Sequence, residues 1–396
     1  MSEEHQIPTG AAFAWRAAAL YAALFVMLGV QLPFLPLWLA AKGLDAGEIG
    51  VVLAIPMVVR VFAIPLATRH ADRHDGLRAA LIVTATAAAL GYGALGLLHG
   101  AAAIMVGYAL VSAFYTPITP LADAYALRGL RLHGRAYGPV RMWGSAAFIV
   151  GTVGAGLLLD RIATGRLIWL IAGTMALAVA AACALAPLDG TEATKRAGHR
   201  EVSAVGILLR QPALPIGLGA ASLIQASHAV YYGFSALDWK TAGLDGGEIG
   251  VLWALGVAAE IALFACSGRL AIAPLGLIAL GGAGGLLRWG AMALGPPTAL
   301  LPLLQCLHAL SFGASHLGAM GLIMRTVPAA YGATVQGYFA VALGLAMAGA
   351  MAISGALYAR WGDLAYAAMA LGAGAGAIVA MVARRLARDD VETGAR

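Results

Sequence analysis

Charge is what this chain has least of. Of its 396 residues only 11% are Asp, Glu, Lys or Arg, while 61% are hydrophobic; a soluble domain carries about a quarter charged residues. That scarcity excludes a water-soluble globule. Cysteine is nearly absent too. Cys183, Cys266 and Cys306 are the only three; they imply no disulfide framework and no metal site, and read as small apolar packing residues within helices. No phosphate-binding glycine loop, nucleophile triad or metal-ligand spacing occurs. A P-loop pump is thereby excluded, and neither an enzymatic centre nor a cofactor is expected. Period-two alternation is missing as well, so every backbone polar group in a bilayer must be satisfied inside helices. The first ten residues hold acids but no Lys or Arg, which argues against a cleavable signal.

What is present is long apolar sequence, with a mean hydropathy of +0.84. About 20 apolar residues cross a bilayer as a helix. Twelve such stretches occur, near 14–41, 47–67, 79–98, 102–127, 139–160, 167–187, 213–238, 247–266, 272–294, 298–325, 333–358 and 363–383. They predict an all-α membrane protein of twelve transmembrane helices in two pseudo-symmetric six-helix bundles, 1–187 and 213–396. The charged loop 188–212 between them reads as a cytoplasmic linker. With the N-terminus inside, seventeen Lys or Arg fall on the cytoplasmic face and Lys42, Arg161, Arg166, Lys240 and Arg360 on the other. That bias puts both termini in the cytoplasm. The net charge of +6 belongs to these loops and gives no reason to expect nucleic acid.

Two nine-residue segments repeat. Gly43–Val51 is GLDAGEIGV and Gly243–Val251 is GLDGGEIGV, differing only at Ala46 against Gly246. Each follows one apolar stretch and opens the next, so the chain is a duplicated membrane unit. The glycine runs Gly281–Gly285 and Gly372–Gly376 suit close helix approach. Pro33 and Pro36 in the first span, and Pro117 and Pro120 in the fourth, should kink their helices.

Few ionisable residues remain within the spans: Arg60, Asp123, Arg141, His228, Glu260, Arg288, His308 and His316. A charge at a helix centre costs about 2.5–3.5 kcal/mol on insertion scales, so each should face a partner or a water-filled cavity. Asp123 and Arg141 make one grouping, as a substrate clamp or as a bridge between helices. His228, Glu260, Arg288 and His308 make another, as a proton-responsive site or as a fixed polar network. Arg60 and Glu260 are equivalent by duplication, and whether they meet is open. His316 reads as a packing residue.

The arrangement resembles the major facilitator superfamily, whose aspartate–arginine loop after the second helix is imperfectly matched by Asp72-Arg73. YGPVRMWGSAAF at Tyr137–Phe148 resembles the fifth-helix signature of the phenylpropionate permease group and of lactose permease. Residues 235–264, RWG from Arg288 and LHALSFGASHLGAM at 307–320 resemble the phenylpropionate permeases more closely. In lactose permease a matching arginine and a carboxylate eighteen residues earlier bind sugar, which implies substrate roles for Arg141 and Asp123. Arg288, His308 and Glu260 match residues of its proton site. Ser311 stands where that site has a protonating glutamate, and Gln305 where it has a lysine. Coupling must then use other groups, with Glu260 foremost.

The resemblance implies a monomeric, proton-coupled symporter of the bacterial inner membrane that works by alternating access. Its partners would be the bilayer, protons and a small organic solute such as an aromatic acid. Arg141 or Arg60 would meet the carboxylate, and Trp38, Tyr115, Trp143 and Tyr232 are candidate walls for a ring. A sugar or nucleoside symporter, a drug-efflux antiporter and a non-transporting membrane sensor stay open as alternatives.

Overall fold

In the computed structural model, residues 10–74, 76–188, 206, 208, 210–269, 271–328 and 331–394 are described. Expectations for the central linker fall almost wholly outside them. The described secondary structure is helical throughout. The first half holds α1 (Gly10–Ala41), α2 (Ala46–Arg73), α3 (Leu77–Leu97), α4 (Ala101–Tyr115), α5 (Ile118–Leu132), α6 (Tyr137–Leu159) and α7 (Leu167–Cys183). The second holds α8 (Ala213–Ala226), α9 (Ala229–Thr241), α10 (Gly246–Cys266), α11 (Pro274–Ala293) and α12 (Leu301–Cys306). After a π-helical turn at Ala309–Ala314 come α13 (Ser315–Thr326), α14 (Gly332–Trp361) and α15 (Ala365–Gly394). Among the described residues, eleven helical segments are long and apolar enough to cross a membrane. The last runs Thr334–Ala387 and contains both α14 and α15, which separate at Gly362. Counting its two legs gives the twelve passes expected.

The repeated segment is a helix stop joined to a helix start. Gly43 and Gly243 adopt left-handed φ of 86° and 94°, open to glycine without strain. Behind them, Leu44 N–H donates to the Leu39 carbonyl at 3.2 Å and Gly43 N–H to Ala40 at 2.9 Å. Leu244 and Gly243 repeat the pattern on Trp239 and Lys240, closing the earlier helix as a Schellman motif. The next helix opens on a capping box. Glu48 N–H donates to Asp45 Oδ1 at 2.8 Å, and Asp45 N–H to Glu48 Oε2 at 3.0 Å. Asp245 and Glu248 do the same at 2.7 and 2.8 Å.

Two compact units form. One gathers the described residues up to Leu44, those from Val58 to the central loop, and Asp245–Gly250. The other gathers Asp45–Met57, the residues from the central loop to Leu244, and those from Val251 onward. In the first unit α1 lies along α6, and Phe13 stacks on Tyr125 at 5.3 Å. In the second, α11 lies along α15, and Leu218, Ile224, Ile278 and Ile323 are part of a buried cluster.

The glycine runs serve that packing. A Cβ on Gly282 would come within 2.7 Å of the Ala373 carbonyl oxygen and of Ala377 Cβ. Gly282→Val therefore loses about 1–3 kcal/mol through overpacking, read as a lower Tm of the purified protein. Gly290→Ala, where a Cβ meets nothing within 4 Å, leaves Tm unchanged or raises it slightly.

Pro33 and Pro36 lie inside α1, which continues through both, and the fourth span is interrupted at Thr116–Pro117. One expectation needs correction. Cys183, Cys266 and Cys306 are free and exposed. A helix wall facing lipid is as apolar as a core, so composition could not separate packing from display.

Candidate functional site

Each unit carries its own polar constellation, built where a helix is interrupted. In the first unit α4 stops at Tyr115 and α5 starts at Ile118, because Pro117 cannot donate into the helix. Asp123 lies two turns further along α5, half-buried. Tyr21 of α1 donates to its Oδ1 at 2.5 Å, and Tyr137 of α6 to the same oxygen at 2.8 Å. An ionised carboxylate only accepts, so two converging phenols suit it, and Oδ2 is engaged by neither.

Arg141, one turn beyond Tyr137, lies over Phe25 at 4.2 Å and over Tyr21 at 5.4 Å. The expected direct pairing of Asp123 with Arg141 is thus replaced by a relay in which Tyr21 touches both. A guanidinium stacked face-on keeps its in-plane N–H donors at its edges, where they can grip a carboxylate. A second cluster lies on the same unit. Gln31 donates to Tyr108 OH at 2.9 Å, and the Tyr92 ring is 6.5 Å from Tyr108 and 6.0 Å from Tyr115.

The aromatic walls divide. Tyr115 belongs to the cluster just described. Trp38 is fully buried, with its Nε1 on the Gly165 carbonyl at 3.2 Å and Lys42 above its ring at 5.4 Å. It anchors the end of α1 and lies inside the packed wall. Trp143 is 46% exposed and meets Trp15 at 5.5 Å. Two residues beyond Arg141 is about 200° around a helix, so the two side chains leave opposite faces. Tyr232 belongs to the second unit.

There α8 and α9 separate at Ser227–His228, and the tenth span changes from α12 to the π-helical turn at Leu307–His308. Interruptions of this kind expose backbone and side chains to one another at depth. Arg288 is completely buried. Its NH2 donates to Gln305 Oε1 at 2.6 Å, its NH1 to His308 Nδ1 at 3.0 Å and to Ser311 Oγ at 3.4 Å. Tyr231 and Trp289 flank the guanidinium at 4.6 and 4.4 Å.

Because arginine has only donors, His308 Nδ1 is the acceptor and a neutral ring carries its proton on Nε2. That nitrogen faces Glu260 Oε2 at 3.5 Å. His228 takes the other tautomer: Nδ1 points at the Gln225 carbonyl at 3.0 Å, so Nε2 accepts from Ser311 Oγ at 3.1 Å. Ser311 therefore joins His228 to Arg288. Tyr232 packs 5.5 Å from His228, and His316 stacks on Phe312 at 6.0 Å. Arg288 Nε, Gln305 Nε2 and both amide atoms of Gln225 are buried without a hydrogen-bond partner.

Arg60 and Glu260, equivalent in sequence, each have neighbours within their own unit. Sequence reasoning missed Tyr21, Phe25, Tyr137, Tyr231 and Trp289. The spacings Tyr21–Phe25 and Tyr137–Arg141, each i,i+4 on one helix face, are the signals that could have found the first three. It also passed over Asp238, which accepts from Tyr358 OH on α14 and keeps Oδ2 buried and unpaired.

Comparison with known proteins agrees with this architecture. The MFS_1-like family matches residues 14–368. The probable 3-phenylpropionic acid transporter of Escherichia coli (strain K12) is 33% identical over 369 residues, 89% of this chain and 93% of that protein. The maltose permease of Geobacillus stearothermophilus is 28% identical over 369 residues, 89% and 91% of the two chains. Among solved structures, the nucleoside transporter NupG superposes with a TM-score of 0.77 at 18% identity, covering 94% of this chain and 98% of its own. A D-xylose-proton symporter does so with 0.70 at 13%, covering 93% and 97%. With two helical units, polar clusters at their helix breaks and a match along most of its length, the chain belongs to the MFS_1-like family of the major facilitator superfamily and is a multi-pass secondary transporter.

Proposed function

We propose that the protein is a proton-coupled symporter of a small organic acid, an aromatic acid such as 3-phenylpropionate being the leading solute. The observation that carries this reading is the buried chain Arg288–His308–Glu260. It is an uncommon expense for a membrane helix bundle unless protonation is used. Glu260 is the proton-carrying group, with His308 and Arg288 setting its surroundings and His228 holding the Ser311 bridge. In the first unit Arg141 grips the solute carboxylate, and Arg60 is its alternate. Asp123 and Tyr115 line the same polar path. Tyr232, in the second unit, packs on His228 beside the proton-carrying group.

The chain works as a monomer, in an inner membrane with both termini cytoplasmic, by rocking of two six-helix halves bounded near 187 and 213. The choice of an aromatic acid rests on the phenylpropionic acid transporter at 33% identity. The maltose permease relative favours a second reading, a neutral sugar.

The test is uptake of labelled 3-phenylpropionate into proteoliposomes, with and without an imposed pH gradient. An inward proton gradient should drive accumulation, and excess unlabelled maltose should leave it unchanged. Uptake indifferent to the gradient would remove the coupling, and competition by maltose would favour the sugar. Asp123→Asn combined with Arg141→Gln should express and insert normally yet fail to transport. Normal uptake by that double variant would reduce both residues to helix packing.

A further inference from the structure

A groove of about 760 Å³ runs between α2, α3 and the end of α4, within the first unit, and none of the polar-cluster residues described above lines it. Ala63, Ala67 and Ala80 form its floor. Its walls are Phe62, Leu66, Val83 and Phe114, of which Phe62 and Leu66 are 73% and 74% exposed. A bare lipid-facing helix is a ridge; small residues between bulky ones make a channel.

At one end the lining changes character. His70 and His74 complete the groove, their rings 4.4 Å apart. Phe62, Leu66, Arg69 and Arg73 follow i, i+4, i+7 and i+11, so the two arginines continue the stripe that forms the wall. Both are exposed. Asp72 lies about 200° around the helix from His70, away from the groove. The apolar part from Val59 to Ala67 measures about 12 Å along the helix, against about 15 Å for the hydrocarbon of one leaflet, half of a bilayer core of about 30 Å.

We propose that this groove is a binding site for one anionic phospholipid, its acyl chain lying between α2, α3 and α4 and its phosphate held by Arg69, Arg73 and the His70–His74 pair. The argument is one of charge complementarity: a channel close to one leaflet in length ends at the His70–His74 pair, with exposed Arg69 and Arg73 on the adjoining stripe of α2. Basic residues at a membrane surface each attract anionic lipid by about 1 kcal/mol, and guanidinium binds phosphate with two donors at once.

Native mass spectrometry of the full-length protein in detergent, with added phosphatidylglycerol, phosphatidylethanolamine or palmitate, tests the site. One phosphatidylglycerol should be retained in preference to the other two. Arg69→Gln with Arg73→Gln, both exposed and harmless to folding, should reduce that adduct about tenfold or more. Ala67→Trp, which fills the floor, should abolish it. If the tryptophan variant does not fold, the arginine pair still decides. Equal retention of phosphatidylethanolamine, or of palmitate, would overturn the proposal, as would an adduct untouched by the arginine changes. A thiol at Leu66→Cys, in a background with Cys183, Cys266 and Cys306 each changed to serine, gives a second reading: added phosphatidylglycerol should protect it from a membrane-permeant maleimide. Protection that follows an imposed pH gradient and ignores lipid would assign the groove to a moving part of the protein instead.

Discussion

Replacing Glu260 with glutamine should sharply reduce uphill solute accumulation and leave equilibrium exchange running. Glutamine keeps an acceptor oxygen 3.5 Å from His308 Nε2, so the neutral imidazole retains its tautomer and the bundle its packing. What is lost is the ability to take up and release a proton. Exchange needs only binding and reorientation, so it survives, whereas a concentration gradient needs the proton to move with the solute. Uphill accumulation should fall about tenfold or more, the equivalent of at least about 1.4 kcal/mol of coupling. Both assays belong on one preparation of proteoliposomes carrying Glu260→Gln. Accumulation that stays pH-driven near the parental level would clear Glu260 of coupling and turn attention to Asp238, a carboxylate of that unit with a buried oxygen. Loss of exchange together with accumulation would instead mark a group needed for binding or reorientation.

Arg288→Ala should be the most damaging single change in stability. The guanidinium is wholly buried and donates to Gln305, His308 and Ser311 while lying between Tyr231 and Trp289. Its removal strands three acceptors away from water, and breaking a buried charged network in this way costs about 3–5 kcal/mol. Arg288→Lys separates charge from shape. It preserves the positive charge and part of the volume, but a single ammonium cannot reach three acceptors or fill the slot between two rings. The lysine variant should therefore lose less Tm than the alanine variant, yet transport as poorly. Wild-type uptake by Arg288→Lys would show that charge alone suffices and that the forked contacts serve packing.

The membrane passes were legible because bilayer thickness writes itself into the length of apolar runs, and the repeat declared the duplication. Asp123, Arg141, Arg288, His308 and Glu260 could be singled out because charge inside a hydrocarbon span is conspicuous. Their partners were harder to find. Tyr21 sits between Asp123 and Arg141 although 102 residues separate it from Asp123, and no local spacing announces a contact over that distance. Trp143 leaves the opposite face of its helix from Arg141 and Trp38 bonds the Gly165 carbonyl, and neither helix rotation nor burial can be read from residue type alone. The break at Ser227–His228 contains no proline. It follows from tertiary bonding, with Ser227 Oγ accepting from Trp289 Nε1 at 3.0 Å. The π-helical turn that orients Ser311 likewise has no marker in residue type.

The paired stop and start at Gly43–Glu48 and Gly243–Glu248 bear on how such a chain is made. Each bend makes most of its backbone bonds over three to five residues, and in the second copy Asp160 also accepts from the Gly246 and Gly247 amides. A ribosome delivering α1 and α2, or later α9 and α10, should hand the insertion machinery a hairpin whose turn can form locally, and the second turn draws in addition on a carboxylate made earlier in the chain.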